Sequence, residues 1–357
     1  MTPKIPLHIN FEKMKLSFNI PTYNRAKYLK KNLEILTAQI IELHKEDDVE
    51  INISDNASYD NTKEISEYYI ATYPQLNIRY HCNDKNLGPD TNFINAMHLA
   101  NGEYSLLWGD DDFLKDDGLA RIFELIDYGQ KNNIQIMLSS TSLYDSKGNY
   151  KSEKLFLRED IDELTIDFSD IIQVRAYFYL LKDMGGMLSF ISDVIYKTSI
   201  INKIEFSNDY IGTHYAFLCY WWGWLAKGNK LYYSSKSFLK ETIQYQPAYG
   251  FGVKRTLVDF HGYNVILNVS LKDSAFKNDF KAAFLNLHPD IKMRQLLIAE
   301  PHSFKKDILP KMLEFKKDSN EVTLLLQSSS FKRIIKELLF TITPENIVYF
   351  LKNIKLR

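Results

Sequence analysis

Residues 104–113 read Tyr-Ser-Leu-Leu-Trp-Gly-Asp-Asp-Asp-Phe, a mostly apolar run that ends in three adjacent carboxylates. Like charges this close repel one another, so a folded chain tolerates them where water, a cation or hydrogen-bond donors offset the repulsion. Along an extended chain, residues i and i+2 point the same way, roughly 6.5 Å apart, so Asp110 and Asp112 would share one side. That spacing suits a divalent cation, or a ribose and a cation together, because hard cations prefer carboxylate oxygen. The alternative is a solvated acidic turn before the next helix, where Asp116 and Asp117 follow.

The segment before this triplet alternates predicted strands and helices. Strands are predicted at residues 15–20, 49–53, 78–82 and 104–108, and helices at residues 26–43, 62–72 and 89–100. Pro21 is expected to end the first strand, because proline cannot donate to a sheet ladder. The order β-α-β-α-β-α-β is typical of an α/β fold with a mostly parallel sheet covered by helices.

Unusual polar clusters follow three of these strands. They are Thr22-Tyr23-Asn24-Arg25, Asp55-Asn56 and the triplet Asp110-Asp111-Asp112. In open parallel sheets, ligands bind outside the carboxyl ends of the strands. Three clusters at such ends therefore predict one shared binding site.

The pattern changes beyond the triplet. It predicts a hairpin from residues 134–143 and 150–157, helices at 166–181 and 210–226, and a strand at 190–196. Met184-Gly185-Gly186-Met187 is a break where a ligand could approach the backbone or the chain could simply loop. From about Thr256 only helices are predicted, with boundaries at Pro289, Pro301 and Pro344. We therefore predict two domains, residues 1–254 and a helical region at residues 255–357.

Composition excludes some function classes. The 357 residues carry a net charge of −1, so the balance of charge does not favour nucleic-acid binding. Only two cysteines are present, which favours a reducing compartment over a disulfide framework or a zinc site. Residues 1–13 lack the apolar run of a signal peptide, and the longest near-apolar stretch, residues 215–226, is shorter than the ~20 residues of a spanning helix. We expect a cytoplasmic protein.

The C-terminal stretch allows a membrane contact. Residues 331–357 are rich in apolar side chains and in Lys and Arg. A basic amphipathic terminus of this kind can lie on an anionic membrane surface, here the inner face of the cytoplasmic membrane. A helical region with a solvated basic face explains the same pattern.

Four boxes together resemble the family 2 glycosyltransferases. They are residues 16–25 (Leu-Ser-Phe-Asn-Ile-Pro-Thr-Tyr-Asn-Arg), residues 53–58 (Ile-Ser-Asp-Asn-Ala-Ser), residues 86–88 (Asn-Leu-Gly) and the acidic triplet, in the family's order and spacing. More narrowly, residues 14–120 resemble bacterial enzymes that build O-antigen or capsule. The resemblance implies a GT-A fold, which is Rossmann-like, a nucleotide-sugar donor, Mn²⁺ or Mg²⁺, and transfer with inversion to a saccharide acceptor that is expected to be lipid-linked.

The resemblance also implies a role for each matching residue. Thr22 and Tyr23 would line the base pocket, and Asp55 would hydrogen-bond the edge of a uracil, which implies a UDP-sugar. Asp110 would hold the ribose, and Asp112 would hold the cation against the diphosphate. The rest of the implied donor-binding set is Pro21, Arg25, Asn86 and Asp111.

The general base is the part that departs from the family's pattern. The acceptor hydroxyl is a poor nucleophile, so a base must take its proton from the side opposite the leaving diphosphate. Many relatives carry a Glu-Asp pair for this purpose, and this chain has none in the corresponding interval. The candidates are Asp193, Asp209 and His214, each of which also has a structural interpretation as a strand-edge charge, a helix cap or a packed histidine. The Gly185-Gly186 loop, the aromatic residues 215–224 and the C-terminal helices are expected to shape the acceptor side.

Other classes fit less well. A nucleotidyltransferase or a dinucleotide-dependent oxidoreductase normally carries a Gly-rich phosphate loop after a strand, and residues 21–25 contain no glycine. A non-catalytic sugar-binding protein on a glycosyltransferase scaffold stays open, because the Glu-Asp pair is missing. The intact acidic triplet argues against that scaffold.

Overall fold

The computed structural model describes residues 14–145, 147–242, 253–287 and 306. Its strands are β1 (Leu16–Thr22), β2 (Val49–Asp55), β3 (Asn77–Cys82), β4 (Tyr104–Leu107), β5 (Phe113–Leu114), β6 (Ile136–Ser139), β7 (Thr141–Tyr144), β8 (Tyr150–Lys154), β9 (Glu163–Asp167), β10 (Val194–Lys197), β11 (Lys230–Ser234) and β12 (Leu239–Thr242). Its α-helices are α1 (Ala26–Glu42), α2 (Thr62–Thr72), α3 (Pro89–His98), α4 (Gly118–Asn132), α5 (Ile171–Leu180), α6 (Leu218–Leu225), α7 (Val253–Asn268) and α8 (Lys277–Leu287).

The larger sheet has eight strands in the order β3-β2-β1-β4-β10-β6-β11-β9. β3, β2, β1 and β4 are parallel neighbours, and β6 and β11 are also parallel to each other. β10 runs antiparallel to β4 and β6, and β9 runs antiparallel to β11. The prediction of an α/β fold with a mostly parallel central sheet is therefore confirmed.

The first strand continues through Pro21, where the sequence predicted its end. β1 pairs with β4 only from Leu16 to Asn19, so Pro21 has no pairing partner on β4. A residue without an N–H group is tolerated where one flank of the strand carries no ladder. Thr22 therefore remains in the strand and lies opposite Asp55 of β2, which brings two predicted site residues side by side.

The helices of this half bury one apolar stripe each. α1 directs Leu29, Leu33, Leu36 and Ile40 into the core, as its helical spacing predicts. Trp108, directly after β4, is fully buried and packs edge-on against Phe18. The acidic triplet thus follows an anchored side chain.

A smaller sheet has the strand order β5-β12-β7-β8. β7 and β8 form the predicted hairpin, and the backbone N–H groups of Lys147 and Asn149 donate to the Asp145 carboxylate in its turn. The run 134–143, predicted as one strand, is divided between β6 in the large sheet and β7 in the small one. The division falls at Ser140, whose N–H donates to Ser234 of β11.

Three later predictions are wrong in their bounds. Residues 166–181 begin as the end of β9, and α5 starts only after Asp170, whose carboxylate caps Ile172 and Gln173. Residues 190–196 open with a short 3-10 turn before β10. Residues 210–226 become helical only at Leu218, because Gly212 and His214 adopt positive φ angles that an α-helix excludes.

The expected acceptor-side residues lie largely in the core. Tyr220, Trp221 and Trp222 of α6 are at most 1% exposed, and a role of this segment on the acceptor side stays a prediction. A Cβ on Gly185 would collide with the ring of Phe156, and Gly186 is buried as well. These glycines therefore allow close packing.

The described part of the C-terminal region is helical, as predicted, and consists of α7 and α8. The chain divides into two compact units, Met1–Tyr245 with Gly262–Leu287, and Gln246–His261 with His288–Arg357. The boundary predicted at residue 255 stays a prediction. The predictions for residues 1–13, for Pro289, Pro301 and Pro344, and for the basic stretch 331–357 fall outside the described residues. No helix in the described ranges combines the length and the apolar character needed to cross a membrane.

Candidate active site

Two of the predicted polar clusters meet where β1 and β4 end. The Thr22 hydroxyl donates to one oxygen of Asp110 at 2.7 Å, and Arg25 Nε donates to the other at 2.6 Å. The same guanidinium forms an ion pair with Asp111. Burial raises the pKa of Asp110 to about 7, although the Arg25 charge opposes this. The structure thus brings together four residues of the implied donor-binding set.

α1 holds the turn that carries the triplet through the side chain of Asn32. Asn32 Nδ2 donates to the carbonyl oxygens of Gly109 and Asp112, at 2.9 and 2.8 Å, and its Oδ1 accepts from the Trp108 indole. Asn32 is only 1% exposed, and these three side-chain hydrogen bonds all go to residues 108–112. A Cβ at Gly109 would collide with the Asp112 carboxylate, so the turn also requires glycine at that position.

Ser192 holds the turn from the other side. Its hydroxyl donates to Asp112 Oδ2 at 2.6 Å and accepts from the Gly109 N–H at 2.8 Å. Burial, with the neighbouring charge of Asp111, raises the pKa of Asp112 well above its usual range, and the Ser192 hydrogen bond only partly opposes this. Positive charge close to Asp112 would stabilise its ionised form.

The donor set fits a hard divalent cation that is shared with a ligand. Within the described ranges, no three His, Cys, Asp or Glu side chains gather into a cluster that could hold a metal ion unaided. Mg²⁺ and similar cations are often bound through only one or two carboxylates, with substrate phosphates completing the shell. Asp112 offers such a carboxylate, and Asp110 is two residues before it.

Asp55 lies one strand away, at the end of β2. One of its oxygens accepts from the Ser58 N–H at 2.9 Å, and the other accepts from the Tyr80 hydroxyl at 2.6 Å. Its side chain is therefore oriented by two donors. Tyr23 directly follows β1 and is 38% exposed. Its ring packs edge-on against that of Tyr59, with the ring centroids 6.4 Å apart.

A network of asparagines joins the ends of β1, β2 and β3 to α3. Asn92 of α3 donates to the carbonyl oxygens of Ser54 and Thr22, at 3.0 and 3.5 Å. Asn56 donates to Asn86 at 2.9 Å, and Asn86 also accepts from the Gly88 N–H. Asn86, predicted to bind the donor, thus also shapes the entry to α3, and its role toward a donor stays a prediction.

The first base candidate, Asp193, is fully buried next to Ser192. Neither of its carboxylate oxygens accepts a hydrogen bond from the described part of the chain. Burial raises its pKa well above the usual range, against the attraction of Lys154.

The second candidate, His214, is partly buried in the loop before α6. Its backbone adopts a φ of 63°, and its N–H donates to the Asp90 carboxylate at 2.9 Å. The third, Asp209, belongs to a short 3-10 turn and pairs with Ser207.

Sequence reasoning missed Asn32, Ser192 and Asp90. Asn32 had a signal, because it is a polar residue on the apolar stripe of α1, between Leu29 and Leu36. Ser192 and Asp90 had none, because their partners lie 80 and more than 100 residues away along the chain.

Residues 17–182 match the family model described as glycosyl transferase family 2. The chain is 36% identical over 203 residues to abequosyltransferase RfbV of Salmonella typhimurium, a match that covers 57% of this chain and 58% of that protein. It is 24% identical over 198 residues to the GalNAc(5)-diNAcBac-PP-undecaprenol beta-1,3-glucosyltransferase of Campylobacter jejuni, covering 56% of each. Both matches therefore span less than two thirds of the relative's own length.

Solved structures share the fold. S. aureus TarS 1-349 superposes with a TM-score of 0.56 at 19% identity, over 85% of this chain and 79% of that chain, and TarS 1-349 has been crystallised with UDP and with UDP-GlcNAc. Mannosyltransferase PcManGT from Pyrobaculum calidifontis, in complex with GDP-Man and Mn²⁺, superposes with a TM-score of 0.53 at 14% identity, over 90% and 83% of the two chains. These similarities confirm the expected GT-A fold.

Proposed function

Residues 17–182 belong to glycosyl transferase family 2, and on that premise we propose that the chain transfers a sugar, with inversion, from a nucleotide-sugar to a hydroxyl of a bacterial surface saccharide such as O-antigen or capsule. The observation that carries this proposal is the junction of Thr22, Arg25 and Asp110 at the carboxyl edge of the sheet, with Asp112 in the same turn. In open α/β sheets that edge is where ligands bind.

The donor is proposed to be a UDP-sugar with Mn²⁺ or Mg²⁺. Asp55, oriented by Tyr80 and Ser58, would meet the base edge, and Tyr23 would flank it. TarS with UDP and PcManGT with GDP-Man and Mn²⁺ support this class of ligand on the shared fold.

The acidic turn is proposed to receive the ribose and the cation. Asp110 would hold the ribose hydroxyls while Arg25 and Thr22 keep its carboxylate in place. Asp112 would hold the cation, and Asn32 and Ser192 would keep that carboxylate oriented before anything binds. A bound cation neutralises charge that develops on a departing diphosphate.

The base is proposed to be His214. A general base must touch the acceptor hydroxyl and be deprotonated when it does so. Asp193 has no exposed surface with which to touch an acceptor in this structure, and burial raises the pKa of its carboxyl group. Asp193 remains the alternative, and an Asp193→Asn variant with normal turnover would remove it.

The acceptor is proposed to be a lipid-linked saccharide, with the enzyme acting at the inner face of the cytoplasmic membrane. The name of the Campylobacter relative specifies an acceptor carried on undecaprenol through a diphosphate. The same acceptor class suits a surface saccharide.

The test is the thermal stability of the purified chain with UDP, GDP, CDP and dTDP, each with and without Mn²⁺. A ligand at 100 times its dissociation constant should add about 2.7 kcal/mol. We expect one nucleotide, UDP, to stabilise the protein in a metal-dependent way, and Asp112→Ala to abolish that effect. Asp116→Ala is the matched control, because Asp116 is an exposed carboxylate of the same segment. No metal-linked shift with any nucleotide would refute the donor site and favour a non-catalytic scaffold.

A further inference from the structure

Asp90, in the first turn of α3, binds a loop more than 120 residues later in the chain. Its carboxylate accepts from the backbone N–H groups of Gly212, His214 and Ala216, at 2.8, 2.9 and 3.1 Å. Asp90 is only 2% exposed. Three hydrogen bonds to one buried carboxyl group hold the loop firmly at this point.

The loop reaches this carboxylate only in an uncommon backbone conformation. Gly212 and His214 both have positive φ angles, 92° and 63°, which turn alternate N–H groups toward Asp90. A histidine in the left-handed region is disfavoured, and such conformations persist where surrounding contacts impose them. Thr213 adds a local contact, since its hydroxyl accepts from the Tyr215 N–H. Asp90 therefore supplies three of the hydrogen bonds that hold the loop in this conformation.

The first turns of α3 connect this loop to the donor edge of the sheet. Two residues after Asp90, Asn92 bonds the carbonyl oxygens of Thr22 and Ser54 at the ends of β1 and β2. Phe93 packs against Phe217 just beyond the loop, with ring centroids 5.8 Å apart. α3 thus fixes His214 relative to the strands that carry the proposed donor site.

A helix-capping role does not account for these contacts. An acidic residue in a first helical turn interacts favourably with the helix dipole, which is worth about 0.3–1 kcal/mol when it is exposed. Asp90, however, is buried, and the N–H groups that it accepts from belong to the distant loop.

We propose that Asp90 is a positioning residue for catalysis, whose carboxylate holds the 211–216 loop and with it the backbone of His214, the proposed base. This inference rests on the proposed function. Asp90 does not touch the reacting atoms. It acts through the backbone of His214, and the removal of its charge leaves the donor contacts of Asp55, Asp110 and Asp112 in place.

The experiment compares Asp90→Asn, His214→Gly and the double variant. Turnover is measured as release of the nucleoside diphosphate from a panel of UDP-, GDP-, CDP- and dTDP-sugars with Mn²⁺ and with water as the acceptor, using the panel member that the wild type hydrolyses fastest. Glycine suits position 214 because of its positive φ. Asp47→Asn is the matched control, an exposed carboxylate before β2 at the opposite edge of the sheet.

We expect Asp90→Asn to lower kcat by a factor of ten or more, while the affinity for the free nucleotide stays within twofold of wild type. Residues that act through one another are not additive, so Asp90→Asn should cost little further in the His214→Gly background. A merely structural role would reduce the rate by a similar factor in both backgrounds. Either that multiplicative result or an unchanged kcat in Asp90→Asn would overturn the proposal.

A second variant tests the same loop in case Asp90→Asn does not fold. Gly212→Ala strains the backbone of the same loop, because position 212 has a φ of 92°, which side chains disfavour. The open space around the position means that the added Cβ meets no other atom. We expect the same low kcat, unchanged nucleotide affinity and non-additivity with His214→Gly; normal turnover in Gly212→Ala would count against the proposal. If the wild type consumes no nucleotide-sugar although it binds a nucleotide, the proposed catalytic function fails before any Asp90 variant is compared.

Discussion

Buried carboxylates lie at both ends of the parallel strands, but Glu50 at the amino edge and the acidic turn at the carboxyl edge differ in how well their charge is compensated. At the amino edge, Glu50 of β2 is 1% exposed and accepts hydrogen bonds from Ser17, Asn52 and the Asn101 backbone, at 2.6, 3.2 and 2.6 Å. Its second oxygen forms an ion pair with Arg79. Burial alone would raise the pKa of Glu50, but these donors together lower it.

At the carboxyl edge, burial outweighs the hydrogen-bond donors, so the pKa values of the carboxyl groups are raised rather than lowered. Asp110 and Asp112 are almost as buried as Glu50, and burial raises the pKa of both. Asp110 has Thr22 and Arg25 as partners, but Arg25 is shared with Asp111. Asp112 has the Ser192 hydroxyl.

The difference separates a carboxylate that supports folding from carboxylates suited to a ligand. Where donors satisfy a buried charge, the charge stabilises the fold. Where buried charges lie side by side with fewer donors, the ionised form gains most from an incoming cation. Substitutions at the two edges should therefore have opposite effects on stability and activity.

The largest expected effect is that of Asp112→Asn on catalysis. Loss of the proposed cation ligand should lower nucleotide-sugar turnover at least about 100-fold. The midpoint of thermal unfolding should stay the same or rise, because one of several adjacent like charges is removed. Turnover and thermal unfolding are measured beside Asp116→Asn, and a large loss of stability in Asp112→Asn would place Asp112 in the same class as Glu50.

Glu50→Ala should show the reverse pattern. It leaves buried donors on Ser17 and Asn52 without their acceptor, so we expect the free energy of unfolding to fall by about 3 kcal/mol. Turnover per folded molecule should not change. Urea denaturation gives the stability, and Glu67→Ala, an exposed residue of α2 that pairs with Lys63, is the control. A loss of turnover without a loss of stability would contradict the comparison.

Asn32→Ala should combine both effects. Two carbonyl oxygens and the Trp108 indole lose their partner, which we expect to cost about 1–3 kcal/mol in stability. Because the turn also carries Asp112, the metal-dependent thermal shift with nucleotide should shrink as well. Asn132→Ala is the control, since Asn132 is exposed and contacts only its own helix in the hydrogen bonds described. An unchanged nucleotide shift would show that Asn32 serves the fold alone.

The smallest effect is a pH dependence that belongs to Glu50. Because its pKa is lower in the folded chain, its ionised form contributes stability above the unfolded pKa of about 4.3, and that contribution disappears as the pH falls through the folded value. The difference in unfolding free energy between wild type and Glu50→Gln should be constant near neutral pH and shrink as the pH falls below about 4.3. Urea titrations from pH 3 to pH 7 measure it. A difference that grew toward low pH would mean that Glu50 has a raised pKa.

Residues 14–100 could be predicted well because their signals are local. Alternation in residues 49–53 and the apolar spacing from Leu29 to Ile40 each predict one element, and both elements appear within a few residues of their predicted bounds. The second half was harder. Its apolar content predicts one long helix at residues 210–226, yet residues 211–217 are not helical, and the backbone of His214 in this segment donates to Asp90. No local signal reports a hydrogen bond to a partner 124 residues away.

By itself, the sequence determined the α/β class, the family boxes and the edge of the sheet where the polar clusters collect, because side-chain periodicity and strand order suffice for these. Only the tertiary structure decided which charges are compensated. It placed Ser192 against Asp112, joined Arg25 to Asp110 and closed the loop of His214 on Asp90. The physical reason is that the pKa of a carboxylate and the direction of a backbone N–H depend on burial and on neighbours in space, and those neighbours come from distant parts of the chain.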